Sequence, residues 1–401
     1  MISRFSPRLH TSFLSAALLA LFLCGNIGLS ADLFTPEVNR LIDEDYRQVT
    51  EKGYGNLVLP ARLHNVSESD IPPEAVFVAK KLQDAGFTAY FVGGGVRDTL
   101  MGKHVNDWDI TTDANYEDCE AVFGNMFFLH YAGDTAYGAV KLPDAKEPVD
   151  VATYGKIPTV YLGRPDVPND SSRSLFNDSF RRDLTYNALL YDPKNGDVID
   201  YHGGLRDMRE HITDSVYEPT VQFPDNPSVS IRALRFTARF GFRMSPRLEK
   251  AMQDAPRYIR MIPMNERYYN SARFFTDGYA AKSYELLDRY GIMEIFLPGL
   301  SPAENTPDAI AAYKKYLETL MPRLDATDLS VLNAEEKQAY VYARLLYPEF
   351  RRLTETMPTE DVIDTIIARQ NEIMLLSDHD KSLLKTYLRR LAARLKKRHG
   401  A

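Results

Sequence analysis

Cysteine is scarce in this 401-residue chain, which holds only Cys24 and Cys119. Two thiols cannot build a disulfide framework, and neither lies in a Cys/His spacing that holds zinc, so secreted disulfide scaffolds and zinc modules are excluded. A basic excess is also missing. Against 48 bases stand 55 acids, and the net charge of −7 excludes a basic nucleic-acid coat. There is no internal repeat and no low-complexity tract. Hydrophobic residues at 44% and charged residues at 26% exclude a disordered or fibrous chain.

Long apolar runs are absent too, with one exception. Arg4, Arg8 and His10 precede an uncharged run from Thr11 to Ala31, apolar from Phe13 to Cys24. As a helix this run would reach about 31 Å, close to a bilayer core. It fits a membrane anchor or a signal peptide, with Gly28-Leu29-Ser30 as a loose cleavage site, and it also fits an idle leader on a cytoplasmic protein. At the other end, Lys381 onward carries eight Lys/Arg and no acid. An acidic body with a basic tail is a partner signal that the mean charge conceals.

The expected architecture is α+β: a mixed-sheet head followed by an all-helical neck and body. Residues 1–31 form the signal-like or anchor segment, and 32–70 read as a polar linker or arm. The head is expected over 71–205, the neck over 206–300 and the body over 301–401. Asp70-Ile71-Pro72-Pro73 starts a helix, in which Ala75, Val78, Leu82 and Ala85 recur at helical spacing up to Gly86. Strands are expected at Thr88–Val92, Val105–Thr112 and Val149–Tyr154, with a polar loop near 155–175. From about 225 onward helical periodicity dominates.

Gly93, Gly94 and Gly95 end the first of these strands, just before a helix expected to begin around Val96-Arg97-Asp98. Residues without Cβ let backbone approach a phosphate, and a helix N-terminus offers free N–H groups, although a plain tight turn has the same pattern. The spacing is neither a Walker A loop nor a Rossmann fingerprint. On the next strand Asp107 and Asp109 alternate with Trp108, so both carboxylates take one face. Parallel carboxylates repel unless a cation lies between them, and hard oxygen ligands suit Mg²⁺; a solvated strand end is the alternative. Asp150, on a later strand, is placed to complete a two-metal clamp for displacement at phosphorus.

A third block runs Asp178-Ser-Phe-Arg181-Arg182-Asp183-Leu-Thr-Tyr-Asn187-Ala188. Its arginines suit a triphosphate, or a salt-bridged helix start in which Asp183 pairs an arginine. In the fourth, Arg232, Arg235 and Arg239 share one helix face, a stripe that is often only solvated.

In this order the blocks Val92-Gly-Gly-Gly-Val-Arg-Asp98, Asp107-Trp-Asp109, Arg181-Arg-Asp-Leu-Thr-Tyr-Asn-Ala188 and Arg232-Ala-Leu-Arg-Phe236 resemble the tRNA nucleotidyltransferase/poly(A) polymerase family. The stretches Leu59–His64, Lys81–Gly86, Ile262-Pro263 and Phe296–Pro298 are similar to its bacterial polyadenylating branch, and the resemblance covers roughly residues 57–300. It implies a nucleotidyltransferase head, Mg²⁺, ATP and RNA 3′ ends, in RNA processing. Asp107 and Asp109 then fall on the metal-ligand positions, with Asp150 and Asp183 as further catalytic carboxylates. Gly93, Gly94 and Arg97 fall on the phosphate turn, and Arg182, Asn187, Arg232 and Arg235 on nucleotide-contacting positions. Three positions depart from the pattern: Asn226 stands where an Asp helps read the base, Val229 replaces an Arg, and Gly155 stands where an Arg follows the third carboxylate. The reading is therefore template-independent AMP addition to RNA by a cytoplasmic catalytic domain. CCA addition to tRNA and a catalytically impaired RNA-binding relative are the alternatives. Leu384, Leu388, Leu391 and Leu395 form an apolar stripe in the basic tail, whose helix is expected to bind RNA, an anionic membrane or a partner, or simply to pack. Residues 11–31 offer a second possible membrane contact.

Overall fold

The computed structural model describes residues 33–399, apart from 104, 106, 133–134, 165–166, 169, 171 and 298–305. The leader at 1–31 lies outside the described residues. Among the described residues no helix is long and apolar enough to cross a membrane.

The head is built on an eight-stranded sheet in the order β1-β8-β7-β2-β3-β6-β5-β4. Its strands are β1 (Leu57–Leu59), β2 (Ala89–Val92), β3 (Asp109–Thr112), β4 (Phe127–Ala132), β5 (Thr135–Val140), β6 (Val149–Thr153), β7 (Leu190–Asp192) and β8 (Asp197–Asp200). Only β3 and β6 pair in parallel. The remaining neighbours are antiparallel. Register brings distant sequence blocks together here. Val92 pairs with Asp109, which sets the glycine turn at the end of β2 against the start of β3. Ile110 pairs with Val151, which sets Asp150 beside Asp109.

The head helices are α1 (Pro36–Lys52), α2 (Pro73–Asp84), α3 (Gly94–Leu100), α4 (Tyr116–Phe123), α5 (Leu175–Ser179) and α6 (Gly204–Arg209). The expected linker at 32–70 is instead part of this fold. Thr35 caps α1, Pro36 opens it and Gly53 closes it with φ 84°, while Val38 and Ile42 are buried. β1 follows and pairs with β8 as an edge strand. Eight acids and bases among its seventeen residues made this stretch read as a polar arm. The second strand is shorter than expected, beginning at Asp109, so Asp107 and Trp108 lie just ahead of it.

The neck and body are helical except for a small parallel pair, β9 (Ile212–Thr213) with β10 (Arg243–Met244). The neck holds α7 (Pro219–Asp225), α8 (Ser228–Phe240), α9 (Pro246–Met252), α10 (Ala255–Ile259), α11 (Met264–Ala272), α12 (Ala280–Arg289) and α13 (Met293–Phe296). The body holds α14 (Pro307–Asp325), α15 (Ala334–Leu345), α16 (Tyr347–Leu353), α17 (Thr359–Ile373) and α18 (Asp378–His399). The leucine stripe of α18 is core: Leu384 and Leu388 are 0% exposed, and Leu391 and Leu395 pack beside them. Half of the apolar stripe on which a membrane contact would depend, Leu384 and Leu388, is therefore already covered by protein.

Candidate active site

Gly93 has φ 81° and ψ −126°, a conformation closed to residues with a Cβ, and α3 starts directly after it at Gly94. The helix thus begins two positions before Val96, where it was expected to start. Gly95 is required for a different reason, since a Cβ there would lie 2.7 Å from Cδ2 of the Trp108 indole. Trp108 is buried and meets Phe91 edge-on at 5.5 Å. The only tryptophan is thereby packed between β2 and α3, and the two aspartates that flank it are held at the rim of the sheet.

Asp107 is exposed and Asp109 half-buried. Burial, together with the neighbouring charges of Asp107 and Asp150, pushes the Asp109 carboxyl up to about 6, against the pull of Arg182 and Arg232. Asp150 is half-exposed and lies 3.5 Å from Nε2 of His130. Burial and Asp107 raise its carboxyl, while His130 opposes the rise. Three carboxylates therefore share one field. Among the described residues no three acids or histidines form a ready-made metal cluster. An acidic pair with an adjacent third charge suits Mg²⁺, which is bound by one or two carboxylates and completes its shell with water and substrate phosphates.

Asp178 is the hub that sequence reasoning missed. It is 1% exposed. Its Oδ1 accepts from the Gly155 amide at 2.7 Å and from Arg181 Nε at 3.0 Å. Its Oδ2 accepts from Thr111 Oγ1 at 3.2 Å and from Arg182 Nη2 at 3.0 Å. Against its burial, the two arginines hold the carboxyl below its ordinary range. Thr111 shares a face of β3 with Asp109, so the hub fixes Arg182 on the face that carries the Asp109 carboxylate. The i,i+3 and i,i+4 spacing to Arg181 and Arg182 was the available signal. Gly155 also finds its explanation here: the Arg181 side chain fills the space that a Cβ at 155 would occupy.

Asp183 stands apart from the three carboxylates as a structural partner. It is 8% exposed, accepts twice from Asn187 Nδ2 and pairs with Arg232 Nε at 2.5 Å. Burial works against ionisation, but Arg232 and Asn187 hold the carboxyl low. Arg232 in turn is half-exposed, with its charge felt at Asp109.

Arg97 departs from the expected phosphate contact. It is 3% exposed, donates to Asp98 at 2.7 Å and to Asn187, and lies 4.8 Å from the Phe236 ring centroid. Its guanidinium is enclosed by protein and ties the glycine turn to the neck. The arginine stripe on α8 is not a solvated face. Arg232 reaches Asp183 and Arg239 reaches Asp98 at 2.8 Å, which clamps α8 onto the head from two points. Arg235 between them is 6% exposed, and burial with nearby Arg273 pushes its guanidinium down to about 10. Of the two departures on the neck, Asn226 is exposed at the α7–α8 corner. Val229 sinks into the apolar core at 2% exposure.

Residues 89–213 match the poly A polymerase head domain, and residues 241–304 match a probable RNA- and SrmB-binding site of polymerase A. Poly(A) polymerase I of Escherichia coli is 29% identical over 254 residues, 61% of this chain and 54% of its own length. A CCA-adding enzyme of Leuconostoc mesenteroides is 34% identical over 226 residues, 55% of this chain and 54% of its own. The chain thus spans about half the length of these curated relatives. A tRNA nucleotidyltransferase solved with a primer tRNA and an incoming ATP analogue shares the fold with a TM-score of 0.52 at 22% identity, covering 81% of this chain and 87% of that one. The Bacillus stearothermophilus CCA-adding enzyme in complex with CTP gives 0.50 at 24% identity, covering 80% and 82%. Two matched domains in order, on a shared fold, around one carboxylate rim, lead to a single conclusion: the chain carries a poly A polymerase head domain at 89–213 and is similar, over about 60% of its length, to poly(A) polymerases and CCA-adding enzymes.

Proposed function

We propose that the chain is a template-independent RNA nucleotidyltransferase that transfers AMP from ATP to RNA 3′ ends. The observation that carries this reading is the carboxylate rim of Asp107, Asp109 and Asp150 beside Arg182 and Arg232. Asp107 and Asp109 would hold Mg²⁺, which supplies charge neutralisation at the reacting phosphate. The RNA 3′-oxygen attacks the α-phosphorus of ATP, the bond to the β-phosphate oxygen breaks, and pyrophosphate leaves. Asp150 lies on the strand paired with that of Asp109, and its raised basicity suits it to take the hydroxyl proton. Arg182 and Arg232, each held by a carboxylate, are positioned to orient the triphosphate. The turn at Gly93 and Gly94 lets backbone come close to it.

Selection of A over a C-to-A switch is supported by the neck. A site discriminates strongly when its buried polar groups fit one base and are stranded by another. Asn226 is exposed and Val229 is buried, so these two positions offer no charged pair to a base. ATP is then taken mainly by stacking and size, with poor rejection of GTP. The need for ATP places the catalytic domain in the cytoplasm, where a reporter fused after residue 60 should be active only inside the cell. Primer extension with each nucleotide alone tests the central reading. Long A tracts with ATP, weaker G addition and little C or U are expected, whereas addition of C, C and then A to tRNA would replace it.

A further inference from the structure

The body holds positive charge that the head does not use. Helices α14, α15, α16 and α18 line a cavity of about 690 Å³. That volume is in the range that encloses a small ligand. Arg323, Arg344 and Arg394 supply its charge, and Tyr316, Tyr340 and Tyr347 its rings; among the described residues no acid lines it. None of these arginines has a carboxylate partner among the described residues. The contrast with the other flank of α18 is sharp. There Lys385 pairs with Asp364 at 2.8 Å and Arg389 with Glu360 at 2.6 Å.

Arg344 lies over Tyr340, 3.2 Å from the ring centroid, and is tethered to its own helix through the Tyr340 carbonyl at 3.1 Å. Burial and the charge of Arg394 both hold its guanidinium below the ordinary range. The Tyr316 hydroxyl donates to the Arg344 carbonyl at 2.8 Å, which fixes that ring at the cavity wall. Like charges facing one open space without an acid are relieved by an anion. The Tyr316 ring, fixed at the same wall, favours an anion that carries a flat ring. These residues lie beyond both matched segments, 89–213 and 241–304.

We propose that the body cavity is a second nucleotide-binding site, in which Arg323, Arg344 and Arg394 hold the phosphate and the tyrosine rings receive the base. A free mononucleotide and a nucleotide unit within an RNA strand present the same chemistry. The proposal does not depend on the activity of the head.

Binding of AMP and of a 5′-phosphorylated oligo(A) to the full chain should be measured with divalent metal chelated. Arg323 and Arg394 are exposed, so Arg323→Gln with Arg394→Gln should leave the fold intact, as circular dichroism can verify. The double variant should bind about tenfold more weakly, as expected from losing two charge-assisted contacts near solvent. The oligo(A) salt slope should also fall by about 0.7 for each phosphate contact removed. Loss seen with AMP assigns the site to free nucleotide, and loss confined to oligo(A) assigns it to the strand. Primer extension at saturating RNA should be unchanged, which separates this site from the head. Equal binding of both probes by variant and native chain, no binding of either at millimolar concentration, or displacement by poly-glutamate better than by AMP would each overturn the proposal.

Discussion

Asp178→Asn isolates the hub beneath the Asp109 face of β3 without changing side-chain size. Asp178 gives one oxygen to the Gly155 amide and Arg181, and the other to Thr111 and Arg182. An asparagine keeps a single oxygen, and its amide must turn its donors toward one of these groups. The Thr111 hydroxyl can rotate to accept, but Arg182 cannot, so the amide should settle facing Thr111 and release Arg182. Removing one partner from a buried ion pair costs about 3–5 kcal/mol. Side-chain exposures of 41% at Arg181 and 21% at Arg182 let both rehydrate. The expected loss is therefore about 2–3 kcal/mol, read as a lower urea midpoint at unchanged slope. In the folded variant the freed Arg182 should raise KM for ATP more than it lowers kcat. A stability change under about 0.5 kcal/mol, the level of an ordinary surface substitution, with an unaltered KM would refute the hub.

Gly95→Ala should push the Trp108 indole, because the added Cβ meets a rigid ring at 2.7 Å. A loss of about 1–3 kcal/mol is expected, with red-shifted emission from the sole tryptophan as its signature. Asp109 should make the metal-free chain less stable as pH rises from 3.8, its ordinary value, through about 6, because the fold disfavours its charged form. Mg²⁺ should therefore raise the melting temperature more at pH 7.5 than at pH 5, and Asp109→Asn should erase that difference. Asp178 and Asp183, both held low, act in the opposite sense. Their stabilisation is present above the ordinary carboxylate range and is lost as acid protonates them, so Asp183→Asn should flatten the acid limb of the stability profile.

The head was legible in the sequence where chemistry and local pattern coincide. Gly93 requires its φ, Asp107 and Asp109 flank a buried tryptophan, and the strand expected at Val149–Tyr154 forms over Val149–Thr153. What stayed hidden depends on partners distant in sequence. β1 is three residues whose only warrant is pairing with β8, and α1 earns its place by burying Val38 and Ile42. Arg97 reads as a phosphate ligand until Asn187 and Phe236 enclose it, and Arg239 reads as solvated until Asp98 receives it. Asp178 opens the third block, but only the Thr111 and Gly155 contacts reveal what it organises. The tail stripe showed a helix face but not whether protein already covered it.

The carboxylate pair is the point on which the account turns. Purified native chain, Asp107→Asn and Asp109→Asn should be compared in extension of a labelled RNA primer with ATP and Mg²⁺, alongside metal-free RNA binding. Even loss of an outer-shell partner at a metal site costs roughly 10–100-fold, so loss of a direct ligand should abolish extension while folding and RNA binding persist. Extension by either variant at the native rate, or none by the native chain under any nucleotide, would contradict it.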